Sequence, residues 1–260
     1  MTKSPDLKEY WNDRGDQIKK FGNEYFYTTT EIPYYIYRRE RILKILDGFD
    51  FKEKKILDYG CGDGFYSQYF NKRGASVVGV DISQKMIDFA KYKYQGDNDG
   101  ISFFLTDGQS LNFDPDYFDF IISSLVLQHV VDEKILSTLF SEFSRTLKEN
   151  GELIHFDGVK KQSQDGGTII LRNKEDYVKF SENNGFHLID NIVLSSPFYN
   201  LAIKSYFLLK LISQKSGMKP RNHNIVEMSI SKIAVSITRI LDKWWKNDNY
   251  GCGYFRYSKK

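Results

Sequence analysis

Residues 56–64 read Ile56-Leu57-Asp58-Tyr59-Gly60-Cys61-Gly62-Asp63-Gly64. A short apolar run enters an acid, and three glycines follow at alternate positions. Phe65, Tyr66, Tyr69 and Phe70 then recur at helical spacing. This order predicts a strand, a tight glycine turn and the start of a helix. Glycine is needed where the backbone turns sharply or lies bare against a ligand. The N–H groups of the turn and of the first helical residues lack partners within the helix, so they face whatever binds there.

A glycine turn alone does not choose its ligand. Dinucleotide-binding turns use one, and a chance glycine loop reads the same way. Asp58 is the discriminating residue, because a carboxylate at the mouth of the turn repels a pyrophosphate and attracts a cation. S-adenosylmethionine has no phosphate, and its methionine end carries an ammonium and a sulfonium. With Asp58 to Gly64 in this order, the chain resembles the class I S-adenosylmethionine-dependent methyltransferases. The resemblance implies that Asp58, Gly60, Cys61 and Gly62 line the methionine end of S-adenosyl-L-methionine.

The next segments fit the same pattern. Ser76-Val77-Val78-Gly79-Val80-Asp81 is a second apolar strand ending in an acid, about twenty residues after the turn, where an acid can accept hydrogen bonds from both ribose hydroxyls. Dinucleotide folds share that feature. In the family, apolar residues after this strand cover the adenine face, which implicates Ile82 and Met86; core packing is the other reading of Met86. Ile101-Ser102-Phe103-Phe104-Leu105-Thr106-Asp107-Gly108 is a third strand ending in an acid. The resemblance gives Asp107 the adenine amino group and Gly108 the room for the ring. A helix cap or a loop acid is the alternative for Asp107. Phe118 to Ser124 is a fourth strand, with Ser123 at its cofactor end, and Leu125-Val126-Leu127-Gln128-His129-Val130 follows. Residues 148–157 predict a charged Asn150-Gly151 turn and a fifth strand ending at Asp157.

The resemblance implies an α/β fold: a Rossmann-like, doubly wound, mostly parallel seven-stranded sheet, with an N-terminal helical lid and a helical insertion before the last strand. The expected divisions are a lid over 1–50, the cofactor-binding core over 51–194, a basic helical insertion over 195–246 and the last core strand over 247–260. Short apolar strands alternating with helices suit a parallel sheet covered on both faces. Such sheets bind ligands at the carboxyl ends of their strands, where Asp58, Asp81, Asp107, Ser123 and Asp157 all fall. A sixth helix-and-strand unit is expected from a capping Asn173 through Asn184-Gly185 and then Phe186 to Leu194. The last strand is expected around Tyr254 to Tyr257. The family usually joins these last two strands directly, and the intervening insertion is the main departure from it.

Chain length suits one α/β domain plus an elaboration: there are 260 residues. The two cysteines, Cys61 and Cys252, suggest no disulfide framework. The first residues lack the apolar core of a signal peptide, and no apolar run is long enough to span a bilayer. The expected location is cytoplasmic. The net charge of +3 hides an asymmetry, because nine lysines and arginines face two acids over 195–246, a net of +7 that leaves about −4 elsewhere. Val226, Ile230, Ile233, Ile237 and Ile240 recur there at helical spacing as one apolar face. Three readings stay open: a helical pair packed on the sheet end, a peripheral contact with the inner membrane surface, and an oligomer interface. The oligomeric state is not legible.

The N-terminal segment is rich in tyrosine, and Pro33 predicts a helix start with Ile36, Ile42, Leu43 and Leu46 on its inner side. In the family such a segment often forms a wall of the acceptor pocket, which points to Tyr10, Trp11 and Arg14; a surface helix with aromatic packing is the alternative.

His129 is the first candidate for a catalytic base, because it follows the fourth strand and histidine titrates near neutrality. A histidine that only packs there is the other reading. His155, inside a strand, and Asp157, at its end, are weaker candidates. No nucleic-acid acceptor is expected. Amino-group enzymes of the family carry an Asn-Pro-Pro-Tyr type segment where this chain has Ser123-Ser124-Leu125-Val126, and neither cysteine is placed as a cytosine nucleophile. No Cys/His set with zinc spacing occurs, and no metal is expected. The expected function is methyl transfer to an oxygen or nitrogen of a small-molecule or glycan acceptor, including sugar-nucleotide and lipid-linked ones. The alternative is a non-catalytic S-adenosylmethionine-binding subunit or activator of a partner enzyme.

Overall fold

The computed structural model describes residues 8–12, 33–94, 99–160, 163–165, 169–194, 232–233, 235–240 and 250–260. The central strand is β1, Lys55–Tyr59, buried from its second residue onward. It pairs in parallel with β2, Ser76–Asp81, at Leu57↔Val78, and with β4, Phe118–Ser124, at Leu57↔Ile121. β3, Ile101–Leu105, extends one side in parallel, and β5, Leu147–Lys160, extends the other. A two-stranded antiparallel pair, β6 (Gln164–Asp165) and β7 (Ile170–Leu171), stands apart. β8, Phe186–Leu194, and β9, Tyr250–Lys259, complete a seven-stranded sheet of order β3-β2-β1-β4-β5-β9-β8. The sheet is mostly parallel with an antiparallel seventh strand, as expected of the fold class.

This order reverses between β1 and β4, the place where an open α/β sheet leaves a crevice at its carboxyl ends. Ile56, Leu57, Ile121, Ile122, Leu153 and Ile154 are essentially inaccessible, because helices cover both faces. A carboxylate sits in this apolar layer: Asp58 is 2% exposed.

Three of the described helices start where a cap side chain satisfies free N–H groups. α1 is Pro33–Leu46. α2, Phe65–Asn71, starts directly after Gly64, which has a left-handed backbone. α3, Gln84–Lys93, is capped by the Ser83 hydroxyl, which accepts from Met86 N–H. α4, Glu133–Thr146, is capped by Asp132, and α5, Lys174–Asn183, by Asn173. Caps of this kind each stabilise by about 1 kcal/mol. α4 buries Leu136, Leu139, Phe140 and Phe143 at helical spacing, which fixes its inner face.

Two expectations about β5 and β9 are corrected. Residues 148–151 are not a turn before the strand but lie inside β5. The pairing with β4 jumps from Phe118↔Leu147 to Phe120↔Glu152, so the extra residues form a bulge. Gly151 is required by crowding there, since a Cβ would stand 3.0 Å from Asp119 O and 2.8 Å from Leu147 Cγ. β9 is also longer than Tyr254 to Tyr257, because pairing on both sides extends it.

The chain divides into two compact units: Met1–Gln17, Phe49–Ile192 and Gly253–Lys260 in one, Ile18–Gly48 and Val193–Cys252 in the other. In the second unit α1 buries Tyr37, Ile42 and Leu46, while Ile36 and Leu43 are half-buried. Among the described residues the expected isoleucine face is present and points outward. Ile233, Ile237 and Ile240 are 60%, 50% and 62% exposed, and Val235 and Thr238 point inward instead. Arg239 reaches Glu40 of α1 at 2.7 Å from the same helix. Val226, Ile230, Arg14 and most of 195–246 lie outside the described residues. Among those described, no helix is long and apolar enough to cross a membrane.

Candidate active site

The glycine turn is tied to the end of β2. Gly60 and Cys61 N–H both donate to Val80 O, at 2.8 and 2.9 Å, and Gly62 N–H donates to Asp81 Oδ2 at 2.9 Å. Gly60 has φ 76°, and a Cβ on it would lie 2.2 Å from Val126 Cγ2, so the loop after β4 packs against bare backbone. Gly62 differs: with φ 53°, a Cβ there would meet nothing within 4 Å. Its backbone borders open space. Cys61 points away, its sulfur lying 3.0 Å from where a Cβ of Gly79 would be. Burial pushes its thiol up, so it is no nucleophile.

Asp58 Oδ2 accepts from Ser67 Oγ at 2.6 Å. Burial is the main reason its carboxyl is pushed up to about 7; the Ser67 bond opposes this, and Asp81 and Asp63 add to it. Burial likewise raises Asp81, against the N–H groups of Ser83 and Gly62. Asp63 is neutralised by Lys93 at 2.6 Å. Among the described residues, Asp58 and Asp81 have only hydroxyl and N–H partners. Two desolvated carboxyls without a cation fit a ligand that brings an ammonium and hydroxyl donors. S-adenosylmethionine is such a ligand, and the residues present therefore fit it.

The remaining expected residues are placed as follows. Ile82 is half-buried, with Cγ2 only 3.1 Å from a Cβ position on Gly108, so the two converge. Met86 is buried in the core of α3. Asp107 is exposed, and its carboxylate accepts from Ser110 N–H, Gln109 N–H and Ser110 Oγ at 2.7 to 2.8 Å; the Ser110 N–H leads in holding it below the usual range. Tyr59 OH fixes that loop by donating to Gly108 O at 2.9 Å. Ser123 is fully buried, its Oγ without a partner, in register with Tyr59 and His155.

Beyond β4, Leu125 has φ 63°, strained for a branched side chain, and its N–H donates to Phe156 O at 2.6 Å. A single 3-10 turn, Leu127–His129, follows. His129 is half-buried and meets the Trp11 ring edge-on at 5.2 Å between centroids. Residues 8–12 are helical, and Ser83 Oγ donates to Asn12 Oδ1 at 2.9 Å. One short N-terminal segment thus touches both the β2 end and the His129 turn.

Comparison with known proteins decides the family. Residues 57–155 match the family described as "Methyltransferase domain". The ubiquinone biosynthesis O-methyltransferase of Pelagibacter ubique (strain HTCC1062) is 31% identical over 196 residues, covering 75% of this chain and 76% of that one. The chain belongs to the class I S-adenosylmethionine-dependent methyltransferases. S-adenosyl-L-methionine is its methyl donor, and small molecules are its acceptors. Solved structures share the methyltransferase's fold. A Pyrococcus horikoshii OT3 protein is 19% identical with a TM-score of 0.58, covering 87% of this chain and 91% of that one. The geranyl diphosphate C-methyltransferase of Streptomyces coelicolor A3(2) is 14% identical with a TM-score of 0.60, covering 85% and 77%.

Sequence reasoning missed what holds the methyltransferase's His129 turn. Asp157 is wholly buried; its Oδ1 accepts from Gln128 N–H at 3.1 Å and its Oδ2 lies 2.9 Å from His155 Nδ1. His155 lies flat against Phe255 at 4.7 Å, fully buried, so it is out of reach of an acceptor. The buried Arg172 donates to Leu127 O and Val130 O at 3.4 and 3.0 Å. Only Asp157 gave a signal for any of this, and the strand expected to end there runs on to Lys160.

Proposed function

We propose that this methyltransferase acts on a phenolic oxygen of a small-molecule acceptor, with His129 taking the hydroxyl proton. The observation that carries the reading is the placement of His129. It stands on a pinned turn at the end of β4, beside the glycine turn and beneath Trp11. Asp58 receives the donor's ammonium, the backbone of Gly60, Cys61 and Gly62 its methionine end, and Asp81 the ribose hydroxyls. Ile82, Met86, Asp107, Gly108 and Ser123 surround the adenosine side. When bound, the donor supplies a methyl group already made electrophilic by its sulfonium.

The chain's own part is to align the acceptor, exclude water and accept a proton. Alignment of this kind can supply several kcal/mol of the barrier. The choice of acceptor follows from the base. Histidine near pKa ~6.5 faces a phenol near ~10, a gap of roughly 5 kcal/mol. A hydroxyl as weak as water, near ~15.7, would leave roughly 12 kcal/mol. The smaller gap favours the phenol for a neutral histidine. Oxygen as the target also agrees with the printed name of the ubiquinone biosynthesis O-methyltransferase, to which the chain is similar. Tyr10 and Trp11, edge to face at 5.3 Å, offer an aromatic wall.

The test is incubation of the purified chain with methyl-labelled S-adenosylmethionine and separate panels of catechols and phenols, sugar nucleotides, and amines. Label on the phenolic panel, with a rate that rises through neutral pH, is the expected result. Label confined to sugar nucleotides or amines would sink the proposal.

A further inference from the structure

We infer that the Gln128 carboxamide selects the tautomer of His129, holding the neutral ring with its proton on Nδ1 and its lone pair on Nε2. Gln128 is a positioning residue in this account. The inference rests on the proposed role of His129 for its catalytic meaning, although its geometry stands apart from that role.

Gly158 fixes the orientation of the amide. Its N–H donates to Gln128 Oε1 at 2.8 Å. Only the carbonyl end of an amide can accept that bond, so the orientation of Gln128 is fixed and its NH2 end faces the other way. That end, Nε2, lies 3.3 Å from His129 Nε2. An amide NH2 offers protons and no lone pair, so His129 Nε2 must present the lone pair. A neutral imidazole carries one proton, which is then on Nδ1. Protonating Nε2 would set N–H against N–H.

The framework around Gln128 is built to keep it there. Its backbone N–H is held by the buried Asp157, whose other oxygen pairs with the buried His155. Arg172 secures the carbonyls on either side of the turn. Gly158 packs closely here: a Cβ there would stand 2.8 Å from Gln128 Oε1 and 2.5 Å from Leu171 Cδ2, so those side chains would have to shift. A bond of 3.3 Å is at the weak end for such a pair. An acceptor hydroxyl donating to the same lone pair at ordinary distance can therefore displace the amide. Gln128 keeps the base in its proton-accepting form until that happens.

The experiment is long-range 1H–15N correlation on the full chain with 15N-labelled histidine, at about pH 8, above the ordinary histidine pKa of about 6.5. The chain has four histidines, and His129→Asn identifies the His129 signals. Wild type is expected to show the Nδ1–H form in roughly fivefold excess or more, the ratio that one net hydrogen bond supports. Gln128→Glu places an acceptor at Nε2, so the excess should reverse to Nε2–H or give way to the imidazolium. Gln128→Leu should leave a mixture. A wild-type ring with its proton on Nε2 overturns the inference, and so does a ratio unmoved by Gln128→Glu. The wild-type spectrum decides by itself where a variant does not fold. The methylation rate of His129→Ala separately tests the reading beneath, so the two fail independently.

Discussion

Replacing Asp58 with asparagine raises the thermal stability of the ligand-free chain at pH 8 and weakens S-adenosylhomocysteine binding by about tenfold to a hundredfold. Both effects come from one desolvated carboxyl. Burial disfavours its charge and pushes the carboxyl up to about 7 in the fold, from an ordinary aspartate range near ~4. Between those values the folded chain keeps a proton that the unfolded chain has released. Wild-type stability therefore falls as pH rises from about 4 to about 7, then stays at its lower level. At about 1.36 kcal/mol per unit, the charged form costs about 4 kcal/mol at most. Asparagine has no proton to lose, and its amide oxygen can still accept from Ser67. The stability gain of Asp58→Asn should thus be small at pH 5 and large at pH 8, read by thermal denaturation at both. An equal gain at the two values would refute the assignment. The binding loss has the opposite sign because the ammonium loses its counter-charge, worth about 1.5–3 kcal/mol for a charged hydrogen bond.

His129→Ala lowers kcat by about 10²–10⁴-fold, the range for removing a positioned general base. Affinity for S-adenosylhomocysteine should stay within about twofold, since His129 is assigned to the acceptor's proton and not to the donor. The wild-type rise of rate through neutral pH should vanish in the variant. A fall in kcat under tenfold, or an unchanged pH profile, would reduce His129 to a packing residue beneath Trp11.

The cofactor end of the fold was legible because each piece obeys a local rule. A strand, an acid and spaced glycines gave the turn at 58–64, and the capping Asn173 gave one helix start within a residue. The His129 turn was legible only in outline. Gln128 matters through Gly158, thirty residues on, and Asp157 matters through a buried contact; neither leaves a periodic trace. Leu125 carries no sign of its left-handed backbone, which the neighbouring strand ends impose. The Asn150-Gly151 pair reads as a turn by itself, but sheet pairing on both sides pulls it into a bulge. The isoleucine row was legible as a face, but not the direction in which it points. Periodicity marks an apolar stripe but not which side of the helix meets the protein, and Val235 and Thr238 do. Asp107 lies two residues past β3 and caps its own loop, as its loop-acid reading has it.

Calorimetric titration of the wild-type chain with S-adenosylhomocysteine, beside NAD, tests the central claim most directly. At neutral pH, in buffers of differing ionisation enthalpy, the account predicts one-to-one binding of S-adenosylhomocysteine, no heat with NAD, and net release of about half a proton as the Asp58 carboxyl, pushed up to about 7, completes its ionisation against the ammonium. Binding of NAD in its place, or binding without proton release, would contradict the site described here.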